Sequence, residues 1–313
     1  MLSGKAAPLL LGALGVACFS LTLPATTAAE ASFSPVEVGA GRSVIGGLVA
    51  VAVLVARRQP LLPPRAALGR LLIVTGPVGI GFGLLSAVAL RYVSSVHGAV
   101  LTGLIPAATA GMAVWRAGER PRRSYWIALA LGLAVVIGFA LVQGGGRLRS
   151  ADLLLLAAIG IAGIGYAEGG ALAREYGGWR VICWAIVLAL PVTVPVTAVA
   201  AITAPPRPVT ASALAGLLYA GTMSMCIGFF AWYHAMAAGG VARIGRLQLA
   251  QPALTLCWSA LLLGEHVGWL SAAAAAAVII ATAAGRNARV DQARPLVAAA
   301  RAADRRVPGG QLS

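Results

Sequence analysis

Apolar runs of about twenty residues alternate along the chain with short polar or Gly/Pro-rich breaks. A helix needs about 20 mostly apolar residues to cross the hydrocarbon core of a bilayer. Ten runs meet that length: 8–29, 36–56, 71–91, 98–116, 125–143, 152–173, 180–202, 212–236, 246–264 and 269–285. The longer breaks are Ser32–Pro35, Arg57–Arg70, Glu119–Ser124, Gly144–Ser150, Glu175–Trp179 and Pro205–Thr210, and two short ones fall at Ser94–His97 and Gly239–Arg243. The pattern predicts an all-α integral membrane protein with ten transmembrane helices. Beyond Arg286 an Ala- and Arg-rich stretch, 286–313, lacks the large apolar residues that a packed core needs, and is expected to be a disordered cytoplasmic tail. The first run has a rival reading. Lys5, an apolar stretch and then A-T-T-A-A-E-A fit a signal peptide, whose cleavage would leave nine spans.

One stretch occurs twice. Gln251–Glu265 reads Q-P-A-L-T-L-C-W-S-A-L-L-L-G-E, and Ile105–Glu119 reads I-P-A-A-T-A-G-M-A-V-W-R-A-G-E. Without a gap, Pro106 falls on Pro252, Ala107 on Ala253, Thr109 on Thr255, Gly118 on Gly264 and Glu119 on Glu265. Self-similarity at a fixed offset is the mark of a duplicated unit. It divides the chain into a first five-helix repeat over 1–150, a second over 151–285, and the tail.

Composition agrees with the membrane reading. Of 313 residues, 59% are hydrophobic and 11% charged, and the mean hydropathy is +0.88, whereas soluble domains carry about 25% charged residues. The net charge of +15 comes almost wholly from arginine, Lys5 being the only lysine. These arginines sit in short clusters between apolar runs, as membrane loops do, and form no contiguous basic surface for nucleic acid. With the N-terminus placed in the cytoplasm, 19 of the 24 cationic residues fall on the inner side and 5 on the outer. Both termini are then cytoplasmic. The loop after the first Gly-Glu, R-P-R-R-S, lies inside, and the loop after the second, H-V-G, lies outside. An odd number of crossings per repeat forces this inversion, and inverted repeats are typical of secondary transporters. Cys18, Cys183, Cys226 and Cys257 lie in apolar runs without C-x-x-C spacing and are read as buried free thiols.

Two five-span halves, each with P-x(12)-E ending in Gly-Glu, resemble the EamA-type branch of the drug/metabolite transporter superfamily. The run W-Y-H-A-M-A-A-G-G-V-A-R-I-G-R-L-Q-L-A-Q-P, Trp232–Pro252, resembles that family's junction between spans eight and nine. The resemblance covers about residues 8–285 and implies export or exchange of small metabolites or drugs across a bacterial inner membrane by alternating access. It implies no particular substrate.

Candidate residues follow from what is costly in a membrane. Pro106 and Pro252 each remove a backbone donor and are read as helix kinks, either static or part of a flexible cavity wall. Glu119 and Glu265 end their spans on opposite faces, as interfacial caps or as gating carboxylates. Glu168, within G-I-G-Y-A-E-G-G, is a carboxylate inside a span and so a functional candidate by default, either as a proton carrier or as an ion-pair partner of Arg174. Tyr166, Tyr233, His234, Gln248, Gln251 and Trp258 join it as substrate-cavity candidates in the second half, with Thr102, Thr22, Thr26 and Ser86 in the first. Interhelical hydrogen bonding competes with substrate contact for each of these. Arg42, at the outer start of the second span, is read as snorkelling to the surface, with substrate binding as the alternative. G-P-V-G-I-G-F-G, Gly76–Gly83, lacks a Walker lysine and is read as close helix packing. His97, His234 and His266 are scattered, so no metal site is expected, nor any cofactor.

These features favour a secondary transporter with a small-molecule substrate in a lipid bilayer. Protons as coupling ion and a homodimer are both compatible with it. The alternatives are a non-transporting receptor or scaffold and, more remotely, a membrane enzyme. The sequence has no H-E-x-x-H, G-x-S-x-G or Walker A motif. The orientation is testable by cysteine labelling. In a cysteine-free background, Arg122→Cys and His266→Cys should react with an impermeant thiol reagent from opposite sides of the membrane. Labelling from one side would rule out the inverted repeat.

Overall fold

The structure is a computed structural model describing residues 6–117, 123–205, 207–240, 244–245 and 247–287. Regular structure among these residues is helical throughout. In chain order the helices are α1 (Ala7–Ala29, interrupted at Leu21), α2 (Pro35–Ala56), α3 (Arg65–Leu90), α4 (Ser95–Thr102 continuing as Ile105–Ala117) and α5 (Arg123–Gln143). They continue as α6 (Ser150–Tyr176), α7 (Gly178–Thr203), α8 (Ala211–Gly239), α9 (Leu247–Leu263) and α10 (Trp269–Asn287). Six of them, α1, α2, α3, α6, α7 and α8, are long and apolar enough to cross a membrane. Shorter apolar helices occupy Leu129–Gln143, Leu247–Leu263 and Trp269–Ala281.

Helix starts follow from capping chemistry. Ser34 Oγ accepts from the Glu37 amide at 3.2 Å while Glu37 Oε2 accepts from the Ser34 amide at 2.6 Å, a capping box with Pro35 at the first helical position. Ser94 caps α4 through the His97 amide, and Thr210 caps α8 through the Ala213 amide. Gly264 closes α9 with φ at 64°, a conformation that glycine adopts without the steric cost a Cβ would add.

The packing pairs helices from the two halves. α2 lies on α7, α4 on α9 and α5 on α10, while α1 packs along α8 as α6 packs along α3. Leu54, Leu71, Leu155, Leu172, Ile182, Ile186, Trp232 and Met236 fill the interior. Outward positions carry Leu48 of α2, Ile202 of α7, Leu261 of α9 and Ile280 of α10, each more than 60% exposed. A water-soluble domain would bury such residues; in a lipid-facing shell they are in their own solvent. Cys18, Cys183 and Cys226 are buried as expected, but Cys257 is exposed, because α9 turns that face outward.

The two expected proline kinks are corrected. Pro106 and Pro252 do not bend continuous helices. α4 breaks at Gly103–Leu104 and restarts at Ile105, and α9 changes from a tight turn over Leu247–Ala250 to α-helix at Gln251. Each proline therefore sits second in a restarting helix, where its missing N–H leaves no hydrogen bond unmade. Pro252 Cγ lies 3.2 Å from where a Cβ on Gly103 would fall, so the second proline rests against the break in α4.

One contact limits how far the bundle can be repacked. A Cβ on Gly39 of α2 would lie 2.6 Å from Leu84 Cα of α3, and a Cβ on Gly83 would lie 2.9 Å from the Gly39 carbonyl oxygen. Two backbones touch here with no side chain able to yield. Gly39→Ala should cost about 1–3 kcal/mol by overpacking, read as a lower melting temperature in detergent. Gly69→Ala, which meets nothing within 4 Å, should leave it unchanged. Equal melting of both variants would contradict the contact.

Candidate functional site

The irregular backbone converges on one place. α3 widens into a π-helical segment at Thr75–Gly81 and α8 into another at Ala220–Gly228. With the break in α1 at Leu21 and those in α4 and α9, they surround a central cavity. Hydrogen bonds to side chains tie the break in α1 to its neighbours. Thr255 donates to the Ser20 carbonyl at 2.8 Å, Tyr219 to the Cys18 carbonyl at 3.1 Å, and Trp258 Nε1 to Ser20 Oγ at 3.0 Å.

Both halves line the cavity. From the first half come Phe19, Thr22 and Leu23 of α1, Arg42 of α2, Pro77, Val78 and Phe82 of α3, and Thr102 and Ile105 of α4. The second half supplies Ala162 and Tyr166 of α6, Ser224 and Phe229 of α8, and Gln251 of α9. Room for the centre of a water molecule amounts to about 20 Å³, on the order of a single water, so the cavity is narrow. The Thr22 and Ser224 hydroxyls meet at 2.8 Å across the two halves. Phe19, Tyr166 and Phe229 form an aromatic wall with ring centroids 4.9–6.0 Å apart.

Polar fastenings lie toward both ends of the bundle. At one end Arg70 of α3 reaches two carboxylates of α6, with Nε 2.5 Å from Glu168 Oε1 and Nη1 2.6 Å from Glu175 Oε1. At the other, Glu265 accepts from the Ser95 and Val96 amides at 3.1 and 2.8 Å and from Ser95 Oγ at 3.0 Å, while Ser95 and Ser259 share a hydroxyl contact at 2.7 Å. Beside it His97 Nε2 bonds Asp152 Oδ1 at 2.6 Å. Glu30, in the turn after α1, is 6% exposed, and burial pushes its carboxyl up to about 8 against the opposing pull of Arg91.

The sequence candidates divide. Tyr166, Thr102, Gln251 and Thr22 line the cavity. Glu168 is buried two positions from Tyr166, but its partner is Arg70, not Arg174, whose side chain is exposed. Tyr233 is fully buried and donates to the Gly165 carbonyl at 3.1 Å, serving α6–α8 packing against Gly169. Gln248 is buried in the turn before α9, its amide atoms without hydrogen-bond partners and away from the cavity lining. Trp258 is half-buried on Ser20. His234 is exposed, because one residue beyond Tyr233 the helix has turned about 100° to its outer face. Glu265 caps the start of α4; Glu119 lies outside the described residues. Gly79 does pack closely, its Cβ position 2.9 Å from that of Ala189, yet the same glycine run also forms the π-helical segment.

Sequence reasoning named the one charged residue among the described residues of the cavity lining but favoured the wrong placement for it. Arg42 does not snorkel: it is 4% exposed and faces the cavity beside Ser224. The available signal was its depth, seven residues into α2 among glycines and a serine.

The comparisons agree with the architecture. The EamA-like transporter family matches the chain twice, over residues 6–141 and 149–284. The chain belongs to the EamA-like transporter family. It is similar to a Bacillus subtilis (strain 168) protein described as "Uncharacterized transporter YdeK", 44% identical over 282 residues that span 88% of this chain and 96% of the relative. A solved crystal structure shares the fold, with TM-score 0.63 over 90% of this chain and 96% of its own at 18% identity. This member of the family is therefore a multi-pass membrane transporter.

The Glu265 fastening is open to direct test. Its three accepted bonds make it an N-cap supplied from outside α4. Glu265→Ala should cost about 1–2 kcal/mol, and Glu265→Gln, which keeps one acceptor oxygen, less. Thermal unfolding in detergent measures both, and parent-like stability of the alanine variant would contradict the capping role.

Proposed function

We propose that the chain is a secondary transporter that exports small metabolites or drugs by alternating access, without ATP, from ten spans arranged as two inverted five-helix repeats in a bacterial inner membrane with both termini cytoplasmic. The carrying observation is the narrow cavity lined by both halves, with a polar fastening toward each end. Opening toward one side requires parting Ser95 from Glu265; opening toward the other requires parting Arg70 from Glu168 and Glu175. The twofold family match supports the repeat, as does the placing of a π-helical segment in both α3 and α8 and of a break before the proline in both α4 and α9.

The proton arm of this reading rests on Glu168. It is a buried carboxylate two residues along α6 from a cavity tyrosine, and its ion pair with Arg70 bridges the halves. Protonation would weaken that pair and ease opening.

Purified protein in proteoliposomes should give saturable flux of at least one solute in a metabolite panel, without added ATP. No saturable flux across the panel would count against transport. For a solute that accumulates on a pH gradient, Glu168→Gln should lose the accumulation and keep counterflow. Parent-like accumulation would remove Glu168 from coupling and leave it a structural partner of Arg70.

A further inference from the structure

The cavity contains a charge that no described residue balances with an ion pair. Arg42 stands about 10 Å into α2, seven residues from Pro35. Only Nη2 finds partners, Ser224 Oγ at a long 3.4 Å and Met225 Sδ, a weak acceptor, at 3.5 Å. Nε and Nη1 have none. Guanidinium stays protonated in proteins and presents five donors in a planar fork. Among the described residues its side chain makes no ion pair, and no carboxylate lines the cavity. A buried charge without a counterion is costly, and in a span it marks a substrate path or a site completed by another group.

The remaining walls describe that group. Phe19, Phe82, Ile105, Tyr166 and Phe229 form an apolar, largely aromatic enclosure. Gln251, on the same cavity, has a buried amide oxygen without a donor. One cation, no lining acid and an aromatic enclosure fit an amphipathic monoanion. A dianion would retain an unbalanced charge. An ammonium group would meet the Gln251 amide oxygen but no lining carboxylate to balance its charge.

We propose that Arg42 is the anion anchor of the cavity and that the solutes it holds, once the halves part and widen a space that now admits about one water, are monocarboxylates with an apolar body. Their carboxylate takes the open edge of the guanidinium and displaces the weak contacts to Ser224 and Met225. A carboxylate receives two parallel N–H donors from an arginine fork, a geometry that lysine cannot supply. This inference rests on the transporter reading for its purpose but not for its test, because binding is measured apart from flux.

The test compares compounds that share one ring and differ in charge. With the full chain in detergent, phenylacetate should raise the melting temperature in a saturable way. Phenylacetamide and phenethylamine should not, and phenylalanine should act more weakly than phenylacetate. Arg42→Met should abolish the phenylacetate shift while leaving the unliganded melting temperature unchanged or higher, since it removes an unbalanced buried charge. Arg42→Lys should keep a shift that requires at least tenfold more phenylacetate. The proposal is overturned if neither phenylacetate nor hexanoate shifts the parent, if acid and amide shift it equally, or if the phenylacetate shift persists in Arg42→Met. It is also overturned if Arg42→Met melts lower and Arg42→Lys restores melting without any loss of acid binding, because Arg42 would then be structural. Should Arg42→Met fail to fold, the parent's preference for acid over amide together with the Arg42→Lys titration decides the matter. Phenylacetate binding without flux in proteoliposomes would sink transport and leave the anchor. Flux of the amide equal to that of the acid, insensitive to Arg42→Lys, would sink the anchor and leave transport.

Discussion

A peptide group facing lipid must find its hydrogen bonds within the protein, because the hydrocarbon supplies none. That constraint orders the whole bundle. Its outer surface is regular helix clothed in leucine, isoleucine and valine. The departures from regular helix in the middle of the bundle each contribute to or adjoin the cavity: the break in α1, the π-helical segments of α3 and α8, and the restarts of α4 and α9. There the freed backbone groups meet Thr255 and Tyr219 hydroxyls, or line a cavity that can hold a polar guest. Irregular backbone and binding site coincide because both need the same polar interior.

The same economy governs charge. Arg70 spans two carboxylates near one end, and Glu265 gathers three donors near the other. Each fastening joins helices from different halves of the chain, so each holds the halves together where a central cavity would open. Arg42 breaks the pattern. The protein leaves it buried beside a serine hydroxyl and a thioether, with no acid paired to it among the described residues. In a low-dielectric interior such an exception persists only where something else completes it or function requires it.

Some of this was open to sequence reasoning because it is local. Helix positions follow from hydropathy summed over about twenty contiguous residues, and the duplication follows from a gapless match between two such segments. Pro106 and Pro252 were found as a corresponding pair, and Thr102, Tyr166 and Gln251 as polar groups within spans. What these residues do was less legible. A proline in an apolar run fits a kink as well as the second position of a new helix, and only backbone geometry separates the two. His234 and Tyr233 are adjacent in sequence, yet one is exposed and the other buried, because facing is fixed by which helix lies alongside.

The sequence by itself determined a membrane protein of two related halves, since span length, apolar content and repeat spacing are properties of contiguous residues. Tertiary structure alone decided partners and facing. Glu168 meets Arg70, 98 positions away, rather than nearby Arg174, because α6 packs along α3. Arg42 sits in the cavity rather than at the surface because α2 presents that face to α8 and its π-helical segment. Such pairings arise from helix-on-helix packing across the repeat, an interaction between segments that leaves no mark on the hydropathy of either one.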